Sequence, residues 1–171
     1  MSELTNQEIR EHDIDWYCLV NQKPVHIASM GGMIPRSFRD RAKLRKLQRK
    51  VAEMKPFTEA ILNYDTVNRL ITTGYEYLEN GDIRQNIVRI NENDPGFMYL
   101  RDEELAIRLF ASSFVERARR GFYSFVRDEN SVKEEYLLIA SPREPINYIE
   151  RELPLVSYVH DRRQRELEFK F

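Results

Sequence analysis

Two apolar runs rich in β-branched and aromatic residues, 14–20 and 25–30, are separated only by Asn21, Gln22, Lys23 and Pro24. Four residues can reverse a strand but cannot carry a parallel crossover, which needs a dozen or more. The runs are therefore expected to form an antiparallel hairpin, ended by Gly31 and Gly32. No Asn-Gly pair fixes the turn, so a two-residue and a three-residue connection both stay open. The choice decides a chemical question. A three-residue loop sets Cys18 opposite His26 as a nucleophile and base, whereas a two-residue loop sets His26 opposite Tyr17. No third group completes the first arrangement, and a lone cysteine is more often a small buried hydrophobe.

Helical signals follow the hairpin. Pro35 suits a first turn, Ser37 and Asp40 resemble a capping pair, and Leu44, Leu47, Val51 and Met54 recur at helical spacing. Together they predict a helix from about 36 to 55, stopped by Pro56. A second helix is expected from an Asp65 cap to Gly81, through Val67, Leu70, Ile71, Tyr75 and Leu78. A third is expected from an Asp102 cap to Gly121, with Glu103 and Glu104 opening it and Arg117, Arg119 and Arg120 closing it, in keeping with the helix dipole. Residues 82–91 read as a strand entering a reversal, with 97–100 returning. Residues 122–127 and 136–140 read as a second hairpin, and Leu167, Phe169 and Phe171 alternate like an edge strand. Residues 57–64 carry no clear signal, and 1–12 form a polar lead-in. Strands that come in hairpins, with no repeat or linker dividing the chain, predict one α+β domain over 1–171. It would have an antiparallel sheet and about three main helices.

The 171 residues carry 27 basic and 28 acidic side chains, a formal charge of -1, which excludes a protein that coats polyanions wholesale. The balance is uneven: up to Pro56 there are 11 basic residues against 7 acidic, and beyond it 16 against 21. Residues 36–50 hold eight Arg or Lys and one acid, Asp40. At about 100° per residue, Arg41, Arg45 and Arg49 take one flank of a helix and Arg39, Lys43, Lys46 and Lys50 the other, with the Leu44, Leu47, Val51 stripe between. Such a face can meet an acidic protein surface or the phosphates of a nucleic acid, unless acids of the same chain cap it.

Other motifs fare less well. The run from Arg120 to Val126 has the glycine and aromatics of an RNA-stacking strand, but its alternation puts Phe122 with Ser124 on one face, so the spacing fails. His12-Asp13 and His160-Asp161 are isolated dipeptides without helical ligand spacing, and one cysteine makes no zinc cluster. Glu168-Phe169-Lys170 has the acid-x-Lys form of Mg²⁺-dependent nucleases, with Asp94 or Asp102 as the only second acids suggested, yet alternation of a surface strand explains it. The lone Cys18, the acidic N-terminus and the lack of any long apolar run predict a cytoplasmic protein with no membrane span. The expectation is a non-enzymatic protein acting through macromolecular contact, by partner binding or oligomer assembly. Arg39, Arg41, Lys43, Arg45, Lys46, Arg49 and Lys50 are its binding residues, and it needs neither metal nor cofactor. Nucleic-acid binding by the same helix is one alternative, and a small hydrolase or nuclease built on His26, or on Glu168 and Lys170, is another.

Overall fold

The computed structural model describes residues 2–77, 80, 83–89 and 103–171. The lead-in contains a short helix, α1 (Asn6–Glu11), opened by a capping box in which Thr5 and Glu8 satisfy each other's backbone N–H groups. The first hairpin follows as β1 (Asp15–Val20) and β2 (Lys23–Ala28). Its loop is the two-residue one, Asn21 and Gln22, with φ of 51° and 63°. Both residues are left-handed, which matches the twist of a type I′ turn although neither is glycine. Tyr17 consequently lies opposite His26, while Cys18 lies opposite Val25. Gln22 tolerates a left-handed backbone less well than Asn21. Gln22→Gly is therefore expected to stabilise the fold by about 0.5–1 kcal/mol, seen as a higher urea midpoint with unchanged slope; a lower midpoint would refute the turn assignment.

Residues 36–38 form a single 3₁₀ turn, and α2 runs over Arg41–Glu53. It therefore starts later than the spacing predicted. Asp40 is itself the N-cap, its carboxylate accepting from the Lys43 N–H at 3.0 Å. The segment without a clear signal supplies β3 (Ala60–Leu62).

The second predicted helix is corrected. α3 covers only Tyr64–Leu70, and the chain then extends as β4 (Ile71–Tyr77), paired antiparallel with β5 (Ile83–Arg89). Helical spacing of apolar residues continued past Leu70, but Ile71, Thr72, Thr73, Tyr75 and Tyr77 are β-branched or aromatic, and Gly74 weakens a helix further. The expected partner for the 82–91 strand, 97–100, lies outside the described residues, as do the reversal before it, the Gly81 stop and the Asp102 cap.

α4 spans Glu103–Arg119. It ends as predicted at Gly121, whose φ is +91°. Gly121 N–H donates to the Ala118 carbonyl at 2.9 Å and Phe122 N–H to the Arg117 carbonyl at 3.1 Å, the paired bonds of a Schellman cap. β6 (Tyr123–Arg127) and β7 (Glu134–Pro142) form the second hairpin, and β8 (Leu167–Lys170) is the last strand.

The main sheet runs β1-β2-β6-β7-β3, with β8 also on β7. It is mixed, not wholly antiparallel as predicted: β2 and β6 are parallel, and so are β7 and β8. The chain is nonetheless α+β, with four α-helices among the described residues. Both faces are covered, as a mixed sheet permits. Trp16, Cys18, Val25, Ile27 and Phe125 pack with Leu44 of α2 on one side. Ala28, Val126 and Ile139 pack with Ile107, Ala111, Phe114 and Ala118 of α4 on the other. A third cluster joins Tyr17, Phe122, Ile146 and Leu153 to Leu47 and Val51 of α2. The outer edge of β1 is occupied by its own chain: Leu19 N–H donates to the Val156 carbonyl at 2.9 Å, Tyr158 N–H to the Leu19 carbonyl at 2.8 Å, and Gln48 Nε2 to the Asp15 carbonyl at 2.7 Å.

Candidate functional site

Helix α2 buries Leu44, Leu47 and Val51, which turns its charged flanks outward. The seven predicted binding residues then divide. Arg39 is only 8% exposed, because the turn at 36–38 folds it inward. There its Nε donates to the Ile34 carbonyl at 2.6 Å and a terminal nitrogen donates to Asn6 Oδ1 at 2.7 Å. Arg41 makes a bidentate pair with Glu8 at 2.8 and 2.9 Å. That pair, ahead of the backbone and hydroxyl of Thr5, lowers the Glu8 carboxyl to about 2. Both arginines fasten the N-terminal segment and are not free to bind. Lys43, Arg45, Lys46 and Arg49 are exposed and Lys50 is half-buried, and none of the five makes an ion pair with a described residue.

Beside this surface, α2, β1 and the segment at 154–156 enclose a groove of about 330 Å³. Trp16, Phe38, Leu44 and Leu47 line it with Pro154 and Val156, and Lys43 and Lys46 stand on its α2 side. The Trp16 and Phe38 rings lie 5.0 Å apart. The indole Nε1 of Trp16 is buried and has no hydrogen-bond partner among the described residues.

A second constellation, foreseen in the sequence only in the His26 and Tyr17 pairing of a two-residue loop, crosses three strands. His26 is the register partner of Tyr17 on one side and Ser124 on the other, so the three side chains share a face, and Asp15 shares it two residues before Tyr17. The pairing of β6 with β7 shifts register just after Ser124. His26 Nε2 lies 2.7 Å from Asp15 Oδ1 and Nδ1 lies 2.6 Å from Ser124 Oγ. Arg117 of α4 reaches the other Asp15 oxygen at 3.2 Å.

Burial depresses the His26 pKa, more than Asp15 raises it, so the imidazole is neutral at neutral pH. Its one N–H then sits on Nε2 and donates to Asp15, leaving Nδ1 to accept from the Ser124 hydroxyl. Burial alone would raise the Asp15 carboxyl, but the His26 hydrogen bond and the neighbouring Arg117 charge hold it below the usual carboxylate range. Burial likewise pushes the Tyr17 phenol up, against the pull of Arg117.

The order Ser, His, Asp matches a nucleophilic triad, but access runs the wrong way. Ser124 and His26 are fully buried, and it is Asp15 that lines a cleft of about 560 Å³ with Arg117, Arg120, Glu116 and Gln48. A serine that substrate cannot reach is no nucleophile; here it steadies the imidazole that aims Asp15 at Arg117.

The remaining candidates separate in space. Cys18 is buried and its thiol is pushed up by burial, so with His26 opposite Tyr17 the thiol and imidazole form no catalytic pair. Glu168 pairs with Lys133, just ahead of β7, at 3.7 Å, and Lys170 pairs with Glu135 across β8 and β7 at 3.2 Å. His160 is exposed and bonded to the Gln164 carbonyl, while Asp161 is held by Arg163. No group of three or more ligating side chains that could hold a metal occurs among the described residues. Phe122 and Phe125 are fully buried, so they offer no face to a base. No helix of the described residues is long and apolar enough to cross a membrane. Compared with known proteins, the chain matches no family model, no curated protein and no solved structure.

Proposed function

We propose that this protein is a non-enzymatic binding module whose working surface is the outer face of α2, and that it engages an anionic macromolecule. The carrying observation is that Lys43, Arg45, Lys46, Arg49 and Lys50 are unpaired with described residues although the chain has 28 acidic side chains. A solvated helix with no role beyond packing is readily laced with i, i+4 acids, which add a few tenths of a kcal/mol each. α2 instead carries one acid within its span, Glu53 in the last turn, where the helix dipole disfavours it. Five like charges within about two turns raise the local potential and speed encounter with a polyanion. The test is heparin chromatography of the full chain. Retention is expected at low salt, falling steeply as salt rises, and the triple variant Arg45→Glu, Lys46→Glu, Arg49→Glu should lose it. Because these positions are exposed, the variant should keep its stability to within about 0.5 kcal/mol, measured by urea unfolding. Wild-type protein that flows through at low salt would sink the proposal.

A further inference from the structure

We infer that the groove between α2, β1 and residues 154–156 recognises the partner, and that this partner is an acidic amphipathic polypeptide segment, seated with apolar side chains in the groove and carboxylates on Lys43 and Lys46. The inference rests on the reading of α2 as a docking surface and adds the partner's class. Chemistry of the two walls carries it. The floor is apolar, from Phe38, Leu44, Leu47 and Val156, whereas Lys43 and Lys46 lie beside it without an ion pair to described residues. The one acid at the site, Asp40, is occupied as the cap of α2. A ligand must therefore bring apolar bulk and negative charge side by side, which an amphipathic helix with Leu and Glu on adjoining stripes does.

Nucleic acid fits this groove less well. Base stacking needs an open aromatic face. Trp16 is fully buried and Tyr17 only 3% exposed, and Phe38 is tilted against the Trp16 ring.

Trp16 is the only tryptophan of the chain, so its emission reports on the groove without labelling. The full chain would be titrated with three labelled probes: a helical peptide with Leu at i, i+3, i+4 and i+7 among Glu, a poly-Glu peptide of equal length, and a single-stranded oligothymidylate. Label anisotropy reads binding anywhere, and Trp16 emission reads the groove. The Leu-Glu peptide is expected to bind about tenfold tighter than poly-Glu, the worth of one or two seated apolar side chains, and it alone should shift Trp16 emission. Val156→Asp, at a position 60% exposed, should remove that tenfold advantage, read as the ratio of the two peptides' affinities. Equal affinity for the two peptides would overturn the groove while leaving the α2 reading intact; failure of all three probes to bind would overturn both. An emission shift produced by the oligonucleotide alone would make the occupant a nucleic acid. Concentration-dependent dimerisation abolished by Val156→Asp would make it a second copy of this chain. Either result would overturn the inference.

Discussion

Gly121→Ala is expected to remove most of the stability and Gly121→Val to abolish folding, in urea titrations followed by far-UV circular dichroism. Two independent constraints meet at this residue. Its φ of +91° is one that L side chains rarely adopt, a penalty of about 1–2 kcal/mol. A side chain would also strike the Ile146 backbone: a Cβ would sit 2.6 Å from Ile146 Cβ and 2.8 Å from its Cα, with the Ile146 nitrogen closer still. The backbone there cannot easily give, because Ile146 N–H donates to the Gly121 carbonyl at 3.0 Å. Overlap and strain together put the valine variant at about 4 kcal/mol or more, comparable with the whole stability of many domains. A loss below about 1 kcal/mol would show that the junction of α4 and β6 can open, contrary to the packing described.

The second large effect concerns His26. His26→Ala removes a fully buried ring and strands the Ser124 hydroxyl, with an expected cost of about 3–5 kcal/mol from cavity and orphaned polar groups together. The same residue gives stability a pH dependence whose sign is fixed by burial. Because the folded protein holds His26 below its ordinary 6.5, the unfolded chain takes up a proton that the folded chain refuses. Stability should thus be level above about pH 7 and fall as pH drops below 6.5, by up to ~1.4 kcal/mol per pH unit, until the folded state also binds the proton. Asp15 adds a lower step: its depressed carboxyl stabilises the fold above its ordinary 3.8, and that contribution is lost as pH falls through the folded value. Urea midpoints compared between about pH 7.5 and pH 5.5 would check the upper step. His26→Gln, which cannot titrate, should be less stable at the higher pH yet show a flatter profile. A wild-type midpoint that rises on acidification would mean that Asp15 outweighs burial and His26 is charged.

Much of the fold was legible because local signals agreed. α4 has basic residues in its last turn and a glycine stop, and β6 with β7 is separated by a polar turn, so each was visible within its own stretch of chain. The extension of helix past Leu70 failed because one apolar spacing served both periods, and residue type, not spacing, decided for β4. Parallel pairing of β2 with β6 was not legible at all: it joins His26 to Ser124 across 98 residues, with nothing local to announce it. The candidate site divides the same way. The charge density of α2 is a property of consecutive residues, whereas the inward turn of Arg39 depends on the 3₁₀ turn, and the groove needs a wall from residues 154–156. Asp15 was within reach of sequence reasoning, since a two-residue loop puts it on the His26 face, two positions from Tyr17.

Closure of the β1 edge limits how another chain can approach. A strand edge normally invites a neighbour to continue the sheet through main-chain hydrogen bonds, a mode that reads little of the neighbour's sequence. Here Gln48 holds the Asp15 carbonyl and residues 156–158 hold both polar groups of Leu19, so growth of the sheet past β1 is blocked at its two ends. Whatever docks on this side must be read through side chains. Trp16 and Tyr17 of that same strand line the groove beside α2, so on the proposed reading its partner would be chosen by side-chain fit and not by strand pairing.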